Sequence, residues 1–423
     1  MMPTSRMSHF LVLLLLPALA AVPEQPAEPI AIQAGTLGIE PDWLPGVAEW
    51  IEQQAKEFAA AHPGIKVDLI GLDAPSRNSL PIEENALLAR NVVGIDSVSG
   101  YEAAWLAARG DIVALESFQP DPGFRKEDFF DNLWPPVVFD GKTWAVPFVV
   151  APLVFAYRTD IFNAARIGGP PETWEALAQC LAELAAAEGL PEEICQLHVD
   201  DVAQTALTML VQQGALMRDG QFAPEISHIA RALSVVEAIE RNRRETFQYG
   251  RQDLGQAAMV VGSPGTLNEI PRASRAKFRI APLPSWEKDV QFPYQAIYLA
   301  VRSASPEYEK ASWEFVKWLT RAGAPAPVAP AAMFCRKSPL EQQNSQFQEP
   351  HRLGESLPKM VDYGPNNLMG RRRRLDEVAS AIERAFGSGD GLNLTQFEQE
   401  LGEINGRLAP IAPPSRAPYA LYR

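Results

Sequence analysis

The chain has 423 residues, with 52 Asp and Glu against 38 Lys and Arg and a formal charge of −14. That length exceeds what one hydrophobic core usually supports, so two or three domains or lobes are expected. The acidic balance argues against nucleic acid and anionic membrane surfaces as partners, and three cysteines are too few for a disulfide scaffold and match no zinc spacing.

Met1 to His9 carries one positive charge, Arg6, and no acid. Phe10 to Leu16 is wholly apolar, Pro17 breaks the run, and Ala18-Leu19-Ala20 sets small residues at both recognition positions. Residues 1–20 therefore have the layout of a cleaved secretory signal. The apolar run is shorter than the roughly 20 residues that a membrane span needs. No cysteine follows the cleavage site, so a soluble periplasmic or secreted protein without a lipid anchor is expected.

Ile30 to Gly35 reads as a strand, and Val47, Trp50, Ile51 and Phe58 recur at helical spacing through Ala61. Pro63-Gly64 stops that helix, and Ile65 to Ile70 alternates as a second strand. Strand, helix, strand at this spacing is a βαβ unit and implies a parallel sheet. The pattern repeats with a strand at Val92–Val98, a helix at Tyr101–Arg109 and a strand at Ile112–Leu115.

A second α/β region begins with Trp144–Pro147 and the apolar run Leu153–Tyr157. Thr173 is suited to cap a helix from Trp174 to Ala187, with Glu175 in its first turn. Helices follow at Val202–Gln213 and Ile226–Asn242, and Ala257–Val261 reads as a buried strand. It runs into the small-residue turn Gly262–Gly265 and then a helix. Ser305-Pro306 opens a helix whose apolar stripe includes Ala311, Phe315 and Trp318; Trp50, Trp313 and Trp318 are expected in the core. Ala322 to Ala332 is a Pro/Ala connector, and Arg371 to Arg374 opens a helix ending near Gly387.

Three segments carry a family resemblance: Asp140-Gly141-Lys142-Thr143-Trp144-Ala145-Val146-Pro147, then Tyr157-Arg158-Thr159-Asp160-Ile161-Phe162, then Pro171-Glu172-Thr173-Trp174-Glu175-Ala176-Leu177. Supporting them in order are His62 to Val67, Gly255 to Met259, and Ala311 to Leu319. The chain resembles the family 1 extracellular solute-binding proteins of ABC importers, the class of maltodextrin- and glycerol-3-phosphate-binding proteins. Arg158-Thr159 replaces a usual Asn-x pair, and Ala176 stands where an acid is usual. The resemblance implies an α/β, two-lobed, type II periplasmic-binding-protein fold. Each lobe would hold a mostly parallel sheet flanked by helices, with a ligand cleft that closes by hinge bending. Lobe one is expected at 28–116 plus 296–322, and lobe two at 117–295 plus 323–423. The crossings are expected after Leu115, near Tyr294–Ile297 and after Thr320.

A sugar site needs carboxylates and amides for hydroxyls, and aromatic faces for rings, on loops at carboxyl ends of strands. The candidates are Glu40, Asp42 and Trp43 on the first such loop, and Ser99, Tyr101 and Glu102 after Val98. From the second lobe come Asp200, Asp201 and the turn with Ser263, Gly265 and Thr266, whose backbone N–H groups would face a ligand. Each has a plain structural counterpart: a cap, a packed ring or a solvated loop. Many family members carry a stacking Trp near position 265, which this chain lacks. Arg373 and Arg374 are the residues that would turn the preference toward a phosphorylated or acidic solute such as glycerol 3-phosphate, although a charge run is commonly a solvated face.

Cys180 and Cys195 are candidates for a disulfide, with Cys335 left as a buried thiol. A secreted serine hydrolase is the distant alternative. Ser263 follows a strand, but Val261 stands where the nucleophile motif needs Gly, and only His351 follows in chain order. His62, His198, His228 and His351 make no metal spacing, so neither metal nor other cofactor is expected. The expected protein is a monomeric, non-enzymatic solute carrier that delivers a sugar or sugar-like solute to ABC permease subunits.

Overall fold

A computed structural model describes residues 29–35, 47–70, 93–191, 194–200, 202–213, 217–218, 221–222, 226–247, 254–286, 292–321, 333–336, 360–362, 380–381, 384 and 394–407. In chain order the strands are β1 (Ile30–Gly35), β2 (Ile65–Ile70), β3 (Gly94–Val98), β4 (Val138–Phe139), β5 (Lys142–Thr143), β6 (Val146–Pro152), β7 (Val154–Arg158) and β8 (Cys195–Val199). They continue as β9 (Met217–Arg218), β10 (Gln221–Phe222), β11 (Ala257–Gly262), β12 (Phe278–Ala281), β13 (Phe292–Val301), β14 (Met333–Phe334) and β15 (Met360–Asp362). The helices are α1 (Val47–Ala61), α2 (Gly100–Arg109), α3 (Thr159–Ala164), α4 (Trp174–Ala186), α5 (Val202–Gln212), α6 (Ile226–Phe247), α7 (Pro264–Glu269), α8 (Arg272–Arg275), α9 (Pro306–Leu319) and α10 (Leu394–Arg407).

The first sheet runs β14-β6-β13-β3-β1-β2, with β15 also on β13. The first βαβ reading holds, with β1 parallel to β2 on either side of α1, and β3 joins the other edge of β1 in the same direction. The sheet is mixed rather than mostly parallel, because β13 returns antiparallel to both β3 and β6. Val47, Trp50, Ile51, Ala55 and Phe58 form the buried stripe of α1, which packs on β2 and on α9. Trp313, Phe315, Val316 and Leu319 bury the matching stripe of α9, over β1, β3 and β13. Trp318 is only partly buried, with the Arg321 guanidinium 3.8 Å from its ring centroid. Gly94 is required where β3 meets β1. Its φ is +156°, and a Cβ there would lie 2.0 Å from the Gln33 carbonyl oxygen.

Residues 112–115 do not form the expected strand. Gly110 adopts φ 74° and turns the chain, and Ile112 makes a single bridge to Arg302. Leu115–Phe118 then winds into a 3-10 turn, and the Glu116 carboxylate accepts the Thr143 N–H at 2.9 and 3.1 Å.

The second sheet, β12-β7-β11-β8, is also mixed: β8 and β11 are parallel, while β7 is antiparallel to β11 and β12. Alternation along its strands divides them between two cores. Val154, Ala156, Val260 and Ile280 belong to the apolar cluster of the first sheet. Phe155, Met259, Val261 and Ala281 pack with Trp174 and Leu177 of α4, Met209 of α5, Val236 of α6 and Phe397 of α10.

The chain passes from the first sheet to the second at Leu153, the one residue between β6 and β7, and not after Leu115. It returns between β12 and β13. Phe124, Phe129, Leu133, Trp134 and Val137, expected in lobe two, pack in the first core, and β6 is a strand of the first sheet. Their aromatic mass finds its partner in Trp313 of α9, which lies 5.0 Å from both Phe118 and Phe124. The expected crossing after Thr320 falls outside the described residues. Cys180 and Cys195, the candidate pair, do not form a disulfide; these two and Cys335 are all buried thiols. The Cys180 thiol instead points to Met259 Sδ at 3.9 Å.

Candidate functional site

Strand register assigns the candidate residues to particular ends of the two sheets. In the first sheet Val98 is opposite Tyr298, whereas Pro152 is opposite Tyr294. The carboxyl end of β3, where Ser99 follows, therefore points the same way along β13 as the passage at Leu153. In the second sheet Gly262 is opposite Val154, the first residue after that passage. β8 runs parallel to β11, and the Asp200 N–H donates to the Val261 carbonyl at 3.0 Å. Ser99, Asp200 and Ser263 thus follow three strands whose carboxyl ends all point toward the passage between the sheets. In open α/β sheets that is the end where ligands bind.

On β3, Ser99 caps α2. Its Oγ accepts the Glu102 N–H at 3.2 Å, and Glu102 Oε2 accepts the Ser99 N–H at 2.7 Å and the Ser99 Oγ–H at 2.9 Å. Both side chains are thereby engaged in a capping box. Tyr101 lies in the first turn of the same helix.

On β8 and β11 the polar groups join across two strands. Ser263 caps α7: its Oγ accepts the Thr266 N–H at 3.2 Å, and Thr266 Oγ1 accepts the Ser263 N–H at 3.2 Å. Of the turn's N–H groups expected to face a ligand, those of Ser263 and Thr266 are used within the cap instead. Thr266 Oγ1 also lies 2.6 Å from Asp200 Oδ2. Thr266 is 4 % exposed, and Asp200 is exposed. Gly262 makes this close fit possible, because a Cβ there would sit 2.7 Å from Thr266 Cβ. Gly265 is buried in the first turn of α7.

Glu40, Asp42, Trp43, Asp201, Arg373 and Arg374 lie outside the described residues. Arg158, the departure from the family pattern, sits at the opposite end of β7 from the passage. Its guanidinium holds Asp160 at 2.9 and 2.5 Å and donates to the Gly255 carbonyl at 2.8 Å. The Arg158 hydrogen bonds hold the Asp160 carboxyl below the usual carboxylate range. That clamp ties the end of β7 to the turn before β11 and is remote from the strand ends described above. Among the described residues no group of His, Cys, Asp and Glu is arranged to hold a metal, and no helix is long and apolar enough to cross a membrane.

Residues 44–324 match the family model of bacterial extracellular solute-binding proteins. The chain belongs to this family. Solute-binding proteins of this kind are binding proteins, not enzymes, so Ser263 is read as a cap and not as a nucleophile. A binding protein of Brucella abortus (strain 2308) is 25 % identical over 290 residues, covering 64 % of this chain and 68 % of that protein. The structure of the sugar-binding protein MalE from Xanthomonas citri superposes with a TM-score of 0.71 at 16 % identity, covering 89 % of this chain and 96 % of that one. UgpB from Mycobacterium tuberculosis, solved with glycerophosphocholine, gives 0.66 at 19 % identity over 90 % and 99 % of the two chains. The fold of this solute-binding protein is accordingly the two-lobed α/β architecture of those structures.

Proposed function

We propose that this solute-binding protein is exported, captures a sugar or sugar-like solute between its lobes and delivers it to the permease of an ABC importer. The observation that carries the reading is the convergence of the β3, β8 and β11 carboxyl ends on the inter-sheet passage, in a chain of a solute-binding family. At those ends the exposed carboxylate of Asp200 offers an acceptor suited to sugar hydroxyls. Glu40, Asp42, Trp43, Tyr101 and Asp201 belong to the same proposal as further cleft residues. The anionic alternative rests on Arg373 and Arg374 and is decided by the same test.

Thermal-shift screening of purified protein against neutral mono- and oligosaccharides, their phosphate esters and sn-glycerol 3-phosphate checks the reading. A solute that binds only the folded chain at 100 times its Kd stabilises it by about 2.7 kcal/mol. A neutral sugar is expected to raise the melting temperature without being consumed. A rise confined to phosphate esters, abolished by Arg373→Ala or Arg374→Ala, would install the anionic reading in its place.

A further inference from the structure

The hydrogen-bond directions at the β8 and β11 strand ends define what the site can offer a solute; this argument rests on the solute-capture reading above. An ionised carboxylate only accepts, so in the 2.6 Å contact the Thr266 hydroxyl is the donor and Asp200 Oδ2 the acceptor. A threonine hydroxyl has one proton, and this contact uses it. At 3.1 Å from Ser263 Oγ, Thr266 Oγ1 must therefore be the acceptor and the Ser263 hydroxyl the donor. Ser263 Oγ in turn accepts the Thr266 N–H. The relay runs one way, from Ser263 through Thr266 to Asp200, and passes through a buried threonine in the first turn of α7.

We propose that Thr266 is a positioning residue that fixes the Asp200 carboxylate for the solute. With Oδ2 occupied by Thr266, Oδ1 is the oxygen that takes no hydrogen bond from the described residues, on a side chain that is itself exposed. The Ser263 proton is already committed inward. What the Asp200 side chain presents outward is therefore an acceptor. A hydroxyl or other donor edge of a neutral polyol or sugar matches it, while a phosphate or carboxylate meets acceptor against acceptor and like charge. The chemistry of the solute at this position is thereby assigned as donor-bearing and not anionic.

Isothermal titration of the full mature chain with neutral mono-, di- and trisaccharides, their phosphate esters and sn-glycerol 3-phosphate tests this, using wild type, Thr266→Val, Thr266→Ser and Asp200→Asn. A neutral sugar is expected to bind wild type. Thr266→Val should weaken it at least tenfold, and Thr266→Ser should stay within about threefold, since it keeps the hydroxyl. On the Asp200→Asn background, Thr266→Val should cost little further affinity. The preference for the sugar over its phosphate ester should also shrink in Thr266→Val. A merely structural threonine would move the melting temperature but not this ratio. Should Thr266→Val fold poorly, Asp200→Asn at an exposed position carries the same tenfold expectation. Sugar affinity unchanged in Thr266→Val or Asp200→Asn, or a phosphate ester bound more tightly than its parent sugar, overturns the role of Thr266 and leaves solute capture standing. No binding by any member of the panel overturns the capture reading and the proposal with it.

Discussion

Gly262 decides whether Thr266 can reach Asp200, and it does so by lacking a side chain. Gly262→Ala would place a Cβ 2.7 Å from Thr266 Cβ and 2.8 Å from its Oγ1. The threonine must then move, and the expected cost is about 1–3 kcal/mol of overpacking. Chemical denaturation measures that cost, and weaker sugar binding should accompany it. At this scale the sequence was partly legible. Ser263 and Thr266 stood out because they follow a strand and a glycine. What sequence could not reveal is that their N–H groups would satisfy each other's side chains, or that Thr266 would find its acceptor 66 residues away, just past the end of β8. Such pairing depends on which strands become neighbours, and local spacing carries no record of that. Ser99 and Glu102 show the reverse case, since a serine followed by glutamate three residues on is a capping signature readable from sequence.

Elements in this fold are locked by polar contacts made from buried side chains. Gln212, at the end of α5, accepts the Trp174 Nε1–H at 2.6 Å and donates to the Pro284 carbonyl at 3.1 Å, so one amide joins α4, α5 and the segment after β12. Gln212→Leu would orphan a buried donor and a buried acceptor, and urea titration should show a loss of about 2–4 kcal/mol. Trp286 Nε1 adds a parallel tie to the Met209 carbonyl at 2.8 Å. Helices α1, α2, α4 and α5 were read to within a residue or so because caps and apolar stripes are local, whereas α6, read as ending at Asn242, runs on to Phe247. Thr173 accepts the Ala176 N–H at 3.1 Å, as its position before Trp174 implies. The failed strand at 112–115 marks the limit of the same logic. Its residues have strand propensity, but β13 ends at Val301, and only one bridge remains to be made.

For the whole molecule, the first core extends well beyond the strands that open the chain. The aromatic block from Phe118 to Trp134 is held against α9 by Asp121. That carboxylate accepts Trp313 Nε1–H at 2.8 Å and pairs with Lys317 at 2.9 Å. Burial alone would raise the Asp121 pKa, but the hydrogen bonds from Lys317, Trp313 and the Gly123 N–H outweigh it and hold the carboxyl below its ordinary 3.8. Asp128, held chiefly by Arg336 at 2.6 Å, is lowered likewise. A depressed folded-state pKa means stability that is fully present above the unfolded value and lost as pH falls below it. The urea midpoint should therefore drop steeply below about pH 4, and Asp121→Asn should lower the neutral midpoint while flattening that acid limb. The expected lobe boundaries missed this block because its Phe- and Pro-rich sequence carries no periodicity, and its allegiance is fixed by a contact nearly two hundred positions away. What sequence did convey about the molecule was the pair of α/β regions and the order of the family motifs.

The buried thiols give the protein a built-in clock for its own opening. Burial pushes Cys180 up to about 12 and Cys335 well above its ordinary 9.0, and Cys195 is 1 % exposed. Reactive thiolate is thus nearly absent from the native state. A maleimide added to native protein should label slowly, at the rate at which each region opens. Cys180, in the second core, and Cys335, in the first, would then time the two halves separately by mass spectrometry, without any introduced probe. Saturating solute should slow both clocks if it binds across the passage, and only one if it binds to a single half.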